Sequence, residues 1–173
     1  MSHLVILTGE RAVGKTTVCR ETVALAQQRG LACRGILTLD HQGARDVVDV
    51  SSGHQRRLTK ALADGQSVLQ GRFCFDPRTL SWGAGVLSRE LSCDLLVIDE
   101  VGPLEVVHRE GWVIAFDCLE AGEYELAILV VRPELLAQVR DRLGSLSTDV
   151  FTVTQDNRDR LPLDLVEMVG REA

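Results

Sequence analysis

The sequence near the amino terminus contains residues suited to binding a phosphate group. Gly9 to Thr16 match the pattern G-x-x-x-x-G-K-[ST] and lie directly after a short apolar run. Glycines in such a segment let the backbone curl, so that successive N–H groups point towards phosphate oxygens. Lys15 stands where a helix is expected to begin, and the positive end of a helix dipole disfavours a lysine there unless an anion binds nearby. The pattern therefore predicts a phosphate-binding loop.

Each residue of this loop has an expected role in holding a nucleotide. The Lys15 ammonium is expected to reach the β- and γ-phosphates, and the Thr16 hydroxyl to bind an accompanying Mg²⁺. Thr17 lies one residue further into the helix, where it is expected to meet the α-phosphate. The other predicted nucleotide-binding residues supply backbone amides, and they are Gly9, Glu10, Arg11, Ala12, Val13 and Gly14.

A pair of acidic residues follows a second apolar run, in the segment LLVIDEVGPLE. An aspartate in the place of Asp99, at the tip of a buried strand beside a phosphate loop, typically holds Mg²⁺ directly or through water. Glu100 is then available to orient or deprotonate the attacking water as a general base. Taken alone, an Asp-Glu pair is more often a helix cap followed by a solvated acid. Combined with the loop at Gly9, the pair favours a metal and catalytic role.

Strands and helices that could position these residues alternate along the chain. The continuous apolar run Leu4 to Leu7 is typical of a strand buried on both faces. A helix is predicted from Lys15 to about Arg29, where Gly30 ends it. Further strands are predicted at ACRGILTLD, DLLVIDE, LAILVV and VFTVT, and further helices at Pro77 to Leu91, Trp112 to Ala121, Pro133 to Leu143 and LPLDLVEMVG.

Alternating strands and helices predict an α/β fold of three layers. Such alternation requires crossover connections and a mainly parallel central sheet with helices on both faces. The segment DVVDVSSGHQRRLTK alternates in polarity and turns at Ser52-Gly53, which predicts a hairpin at the edge of the sheet. The length of 173 residues and the absence of a Pro/Gly/Ser-rich linker favour a single domain over residues 1–173.

Composition limits the classes of partner. The formal net charge of −6 argues against broad electrostatic binding to nucleic acid. No apolar run approaches the ~18 residues that a membrane span needs, and the amino terminus lacks the pattern of a signal peptide. Cysteines without a CxxC pair are typical of free thiols in a reducing compartment, so a cytoplasmic location is expected. They are Cys19, Cys33, Cys74, Cys93 and Cys118.

Together these motifs resemble the THEP1-type nucleoside-triphosphatases, which are small P-loop proteins. The resemblance rests on GERAVGKTT, GILTLD, VIDEVGPLE and TQDNRDRLP, in the family's order and at about its spacing, over nearly the whole chain. It implies a P-loop NTPase fold between nucleotide kinases and RecA-like ATPases. It also implies Mg²⁺-dependent hydrolysis of ATP, GTP and related nucleotides to the diphosphate and phosphate.

The sequence departs from the family pattern at two places. Glu10, Arg11 and Ala12 stand where the family usually has Pro or Gly, so Glu10 brings negative charge near the phosphates and Arg11 offsets it. The segment VVHREGW replaces a Leu/Phe-Ser segment close to the expected approach of a substrate or partner. The resemblance therefore does not predict the substrate specificity of this chain.

Several further residues have two interpretations. Asn157 and Arg158 follow a predicted strand on the nucleotide side of the sheet, where they either contact the base or form a turn with a surface arginine. Candidates for an arginine that stabilises the transition state, or for ordinary solvated arginines, are Arg72, Arg109 and Arg132. Trp82 is more typical of a core residue than of a base-stacking platform. The four histidines have no ligand spacing and are expected on the surface.

Three functions agree with the sequence. The first is a nucleoside-triphosphatase in which Glu100 activates water, and the second is a kinase in which Glu100 deprotonates a substrate hydroxyl. A kinase normally has a second substrate pocket and an arginine-rich lid, and the sequence shows no compact arginine cluster, which favours the first. The third is a nucleotide-dependent switch that resets a contact with a protein partner by slow hydrolysis.

Overall fold

The computed structural model describes residues 2–41, 43–60, 68–70, 73–89, 92–144 and 146–170. The strands are β1 His3–Thr8, β2 Cys33–His41, β3 Ala44–Asp49, β4 Gln55–Arg57, β5 Val68–Gln70, β6 Phe73–Phe75, β7 Cys93–Val101, β8 Tyr124–Val131 and β9 Thr148–Thr152. The helices are α1 Lys15–Gln28, α2 Pro77–Leu87, α3 Pro103–Val106, α4 Ile114–Ala121, α5 Leu136–Leu143 and α6 Leu161–Val166. A 3₁₀ turn over Pro133–Leu135 leads into α5.

Seven strands form one sheet in the order β4-β3-β2-β7-β8-β1-β9. The pairs β2–β7, β7–β8, β8–β1 and β1–β9 are parallel, whereas β2–β3 and β3–β4 are antiparallel. The prediction of a mainly parallel sheet with a hairpin at its edge is therefore confirmed. Strand β8 lies between β1 and β7, so the strand before the glycine-rich loop does not pair with the strand that carries the two acids.

Side chains on the two faces of the sheet enter two separate hydrophobic clusters. In β1, Leu4 and Ile6 join the cluster that includes Leu80 of α2. Val5 and Leu7 join the opposite cluster with α1 and α6. Strand side chains alternate between faces, so a run buried at every position needs a covering layer on each side. The predicted three-layer arrangement, with helices on both faces, is confirmed.

Several predicted boundaries were wrong by a few residues. Helix α2 ends at Leu87 instead of Leu91, and α4 begins at Ile114 instead of Trp112. Strand β9 begins two residues earlier than the predicted segment VFTVT and ends at Thr152. The last helix ends at Val166, and neither α3 nor the separate β5–β6 pair was predicted.

Trp112 is held outside helix α4 by bonds to other elements. Its backbone N–H donates to Glu105 at 3.2 Å, and its indole N–H donates to the Leu80 carbonyl at 3.1 Å. These tertiary contacts fix the residue before the helix begins, which local helical spacing does not reveal.

Within the described part of the chain, no helix has the length and apolar character that crossing a bilayer requires. All five cysteines are free, and four of them are buried. The thiols therefore contribute to packing and form no disulfide cross-links.

Asp49 closes the hairpin between β3 and β4. Its carboxylate accepts bonds from the Ser51 and Ser52 hydroxyls at 2.7 and 2.8 Å and from an Arg89 N–H at 2.9 Å. Burial alone would raise the pKa of Asp49, but these donors and the Ser51 N–H outweigh it and hold the pKa at about 2, below 3.8. A buried carboxylate with this many donors stabilises the turn in its ionised form.

Replacing this carboxylate by an amide should destabilise the protein at neutral pH. Because the folded pKa lies below the unfolded value of 3.8, the ionised form contributes stability above pH 3.8 that is lost as the pH falls towards 2. Asp49→Asn is expected to lower the free energy of unfolding at pH 7 by about 2 kcal/mol, as measured by urea denaturation. The deficit should shrink between pH 4 and pH 2, whereas the exposed Asp141→Asn should have little effect. A deficit independent of pH would contradict this account.

Candidate active site

The loop between β1 and α1 curls because three residues adopt left-handed backbone conformations. The φ angles are 140° at Gly9, 61° at Ala12 and 113° at Gly14. A Cβ atom at Gly9 would lie 2.6 Å from the carbonyl oxygen of Val153. The Val153 N–H in turn donates to the Thr8 carbonyl at 2.8 Å. The loop is therefore packed against the segment that follows β9, and only a glycine fits at its first position.

Lys15 crosses over this loop from the first turn of α1. Its ammonium donates to the carbonyl oxygens of Gly9 and Glu10 at 2.8 and 2.7 Å. Burial lowers the pKa of Lys15, and the nearby carboxylates of Glu100 and Asp99 oppose that shift. The cation thus faces both acids, although β1 and β7 are separated in the sheet by β8.

Asp99 is a buried carboxylate near the end of β7, with 1% of its surface exposed. One carboxylate oxygen, Oδ2, accepts the Thr38 N–H at 3.3 Å, and the Thr38 hydroxyl donates to the Asp99 carbonyl. Within the part of the chain that the structure describes, the other oxygen, Oδ1, has no hydrogen-bond partner. Burial raises the pKa of Asp99 to about 7, against the opposing effect of the Thr16 hydroxyl.

An unpaired buried oxygen beside a hydroxyl fits a hard divalent cation. Mg²⁺ prefers oxygen ligands and usually takes one or two from the protein, with the rest from phosphates and water. Among the described residues, no three His, Cys, Asp or Glu side chains gather as in a cage for a metal ion. Thr16 and Asp99 therefore suit a metal that arrives with a phosphate ligand better than a metal held by the protein alone.

Glu100 is more open than its neighbour, with 23% of its side chain exposed, and forms an ion pair with Arg132. Arg132 directly follows β8. Because β8 pairs with β7, its end brings the Arg132 guanidinium to Glu100 at the end of the neighbouring strand. The two carboxylates thus have different surroundings, since Asp99 is enclosed and Glu100 lines an open cavity.

Of the three arginines predicted as candidates for transition-state stabilisation, two lie within the described residues. Only Arg132 has a described contact with an acidic site residue, Glu100. Arg109 lies in the exposed segment after α3, and Arg72 falls outside the described residues. A fourth arginine, Arg45 on β3, was missed, although it lines the same space as Glu100 and Arg132. The sequence feature that could have identified Arg45 is its position two residues before the buried Val47. Alternate residues of a strand lie on the same face of the sheet, so both are expected to face inward.

Asn157 and Arg158 have separate roles in the segment after β9. The Asn157 side chain accepts the Thr154 N–H at 2.8 Å and donates to the Thr152 carbonyl at 2.9 Å, so it closes a turn. That turn brings Arg158 against the loop, where its guanidinium donates to the Val13 carbonyl at 3.4 Å. Contact with a nucleotide base stays a prediction for both residues.

Glu105 is a structural support that the sequence interpretation assigned no role. It is buried and accepts N–H groups from Gly102 at 3.0 Å and Trp112 at 3.2 Å, which ties α3 to the start of α4. The available signal was its position three residues after Gly102, where a capping glutamate is typical. Trp82 is half-buried and packs against the core, as expected, with the Arg56 guanidinium 4.9 Å from its ring centre.

Comparisons with known proteins agree with this geometry. The model of the family described as NTPase matches residues 4–166. The nucleoside-triphosphatases THEP1 of Methanosarcina acetivorans and Methanopyrus kandleri are each 30% identical to this chain. The first match covers 91% of both proteins, and the second covers 98% of this chain and 96% of the relative.

Solved structures resemble the fold over its whole length. The solution structure of a human cancer-related nucleoside triphosphatase has a TM-score of 0.75 and 26% identity, and the match covers 99% of this chain and 100% of that one. The crystal structure of THEP1 from Aquifex aeolicus has a TM-score of 0.72, with 97% and 99% coverage. At 16% identity, the second likeness concerns the fold alone.

Two glycine substitutions distinguish the cost of backbone strain from the cost of a steric clash with the Val153 carbonyl at the loop. Gly9 and Gly30 both have positive φ, but nothing lies within 4 Å of a Cβ at Gly30. Gly30→Ala should therefore cost only the strain of a left-handed conformation, about 1–2 kcal/mol. Gly9→Ala should cost more in urea denaturation and should also weaken binding of a fluorescent nucleoside triphosphate. Unchanged binding by Gly9→Ala would show that the loop is not the phosphate site.

Proposed function

This chain belongs to the NTPase family, and from that premise we propose that it hydrolyses nucleoside 5′-triphosphates, ATP and GTP among them, with Mg²⁺. The products are the diphosphate and phosphate. The observation that carries the proposal is the meeting of Lys15, Asp99 and Glu100 at one end of the sheet. A cation over a glycine-rich loop, a buried metal-type carboxylate and a more open acid are the parts that triphosphate hydrolysis requires.

The proposed roles follow from the surroundings of each group. The loop amides and Lys15 bind the phosphates, while Thr16 and Asp99 hold Mg²⁺. When bound, the metal neutralises charge on the β- and γ-phosphates. The unpaired Asp99 oxygen supports this assignment, because a buried polar atom without a partner is costly.

Glu100 is the proposed general base. The oxygen of a water molecule bonds to the γ-phosphorus while the bond to the bridging oxygen breaks, and Glu100 takes the water proton. Arg132 is the proposed arginine for the transition-state charge, because it already lies beside Glu100 at the end of the neighbouring strand. Asn157 and Arg158 are proposed on the side of the base, with Arg158 against the loop.

Other features of the sequence interpretation stay predictions. They are the cytoplasmic location, the single domain over residues 1–173, and a protein partner for a slow nucleotide switch. Phosphate release from a panel of nucleoside triphosphates, with and without Mg²⁺, tests the proposed activity directly. Phosphate release that depends strictly on an added acceptor would instead favour the kinase alternative.

The metal assignment predicts a changed Mg²⁺ requirement. Asp99→Asn keeps the shape of the side chain but removes the charge that attracts the cation. The Mg²⁺ concentration needed for half-maximal phosphate release should therefore rise, whereas the exposed Asp141→Asn should leave it unchanged. Activity that persists in EDTA would refute the assignment of Asp99 and Thr16.

The general-base assignment predicts a loss in kcat with binding retained. Glu100→Gln keeps the size and hydrogen bonding of the side chain but removes the basic oxygen. The kcat should fall by about 10²–10⁴-fold, with little change in the triphosphate Kd measured by equilibrium titration. The matched control is Glu120→Gln, at an exposed position of α4.

Two results would contradict the role of Glu100. Hydrolysis at the parent rate would eliminate it as the base. A joint loss of rate and affinity would assign it to metal or phosphate binding instead.

A further inference from the structure

Regular pairing of β7 stops where its two acidic residues lie. Its residue-by-residue pairing with β2 reaches Ile98, and its pairing with β8 shifts register between Ile98 and Val101. Asp99 and Glu100 occupy that interval. An irregularity of this kind disrupts the hydrogen-bond ladder of a sheet locally. The positions of the two acids therefore depend on contacts other than regular strand pairing.

Thr38 provides such contacts from β2. It lies two residues after Ile36, which pairs with Ile98. Its hydroxyl donates to the Asp99 carbonyl oxygen, and its N–H donates to Asp99 Oδ2 at 3.3 Å. Thr38 is 9% exposed and Asp99 is 1% exposed, so both bonds lie in surroundings where an unmade hydrogen bond is costly. Thr38 thus extends the link between β2 and β7 beyond the paired residues.

The carbonyl that accepts the Thr38 hydroxyl belongs to the peptide unit between the two acids. A peptide unit is planar, so a bond that fixes the Asp99 carbonyl oxygen also fixes the direction of the Glu100 N–H and the position of the Glu100 Cα atom. The Glu100 side chain projects from that Cα atom. One hydroxyl therefore constrains the backbone that carries both carboxylates.

The Thr38 backbone N–H has a separate effect on the Asp99 side chain. It engages Oδ2, whereas Oδ1 has no hydrogen-bond partner among the described residues. The two oxygens are thereby distinguished, and Oδ1 is the one available to the proposed Mg²⁺. Because a side-chain substitution leaves the backbone N–H in place, the hydroxyl can be removed without removing this second donor.

We propose that Thr38 is a positioning residue for triphosphate hydrolysis. Its hydroxyl holds the peptide between Asp99 and Glu100 so that Oδ1 of Asp99 meets the metal and the Glu100 carboxylate meets the attacking water. Thr38 acts through the two acids and is not proposed to touch the nucleotide or the metal. The consequence for catalysis rests on the proposed roles of Asp99 and Glu100, whereas the hold on the peptide does not.

Nuclear magnetic resonance tests the hold on the peptide in the protein without nucleotide. Thr38→Val replaces the hydroxyl by a methyl group and keeps a β-branched side chain, whereas Thr38→Ser keeps the hydroxyl. In ¹⁵N relaxation measurements on Thr38→Val, the order parameter of the Glu100 N–H should fall below the value of about 0.85 that is typical of rigid backbone. It should return to the parent value in Thr38→Ser. A Glu100 N–H with unchanged chemical shift and order parameter in Thr38→Val would overturn the proposal.

Kinetic measurements on the same variants test the consequence for catalysis. Because a small misplacement of reacting groups can cost about 10²-fold, Thr38→Val should lower kcat by about 10- to 100-fold. It should also raise the Mg²⁺ concentration for half-maximal phosphate release. Its Kd for a fluorescent triphosphate in EDTA should not change, because the loop and Lys15 are left intact. Thr38→Ser should restore kcat to near the parent value, and failure of this rescue would contradict the role of the hydroxyl.

Thr79→Val is the matched control. The Thr79 hydroxyl donates to the Arg57 carbonyl at 2.8 Å, and Thr79 is 4% exposed. Removing this buried hydroxyl should lower the midpoint of urea denaturation about as much as Thr38→Val does, with kcat and the Mg²⁺ requirement unchanged. An equal loss of kcat in Thr79→Val would show that the effect of Thr38→Val is one of general stability, and the proposal would be wrong.

Failure of the hydrolase function and failure of the Thr38 proposal give different results. If the parent protein releases no phosphate, but the Glu100 N–H responds to Thr38→Val and not to Thr38→Ser, the hydrolase function is wrong and the hold on the peptide is correct. If the parent protein hydrolyses triphosphates with Mg²⁺ and Thr38→Val does so at the parent rate, the proposed function stands and Thr38 has no positioning role.

Discussion

Parallel pairing of the buried central strands is the constraint on which the rest of the structure depends. Parallel strands point their carboxyl ends to one edge of the sheet, so whatever follows β1, β7 and β8 must meet there. Their registers run without interruption through apolar positions and shift only after Ile98, next to Asp99. The regular part of the sheet thus supports the segments that follow these strands. The register shift lies at Asp99 and Glu100, the two acidic residues of the site.

Charges at this edge are arranged so that each largely buried group has an opposite neighbour. Lys15 faces Glu100 and Asp99, and Arg132 pairs with Glu100. An isolated charge in such surroundings would be costly, so the site is stable as a network. Among the described residues, Oδ1 of Asp99 has no hydrogen-bond partner, which supports the proposed metal ion at this carboxylate.

Local sequence patterns predicted the elements better than their ends. The run before Gly9 and the run before Asp99 were identifiable because a strand buried on both faces is apolar at every position. Boundaries failed where tertiary bonds decide them. Trp112 looks helical in sequence, but its bonds to Glu105 and Leu80 hold it outside α4. Arg45 was missed because an arginine in an edge hairpin usually faces water, and only packing against the segment after β4 turns it inward.

The sequence by itself determined the phosphate loop, the acidic pair and the alternation of strands and helices, because each depends on residues close together in the chain. Tertiary structure alone decided the strand order. Placing β8 between β1 and β7 brings Arg132 to Glu100, 32 residues away in the chain, and folding the β3–β4 hairpin onto the sheet adds Arg45 to the same edge. Local sequence patterns do not predict these contacts, because the contacts depend on which strands pair and not on the residues within any one segment.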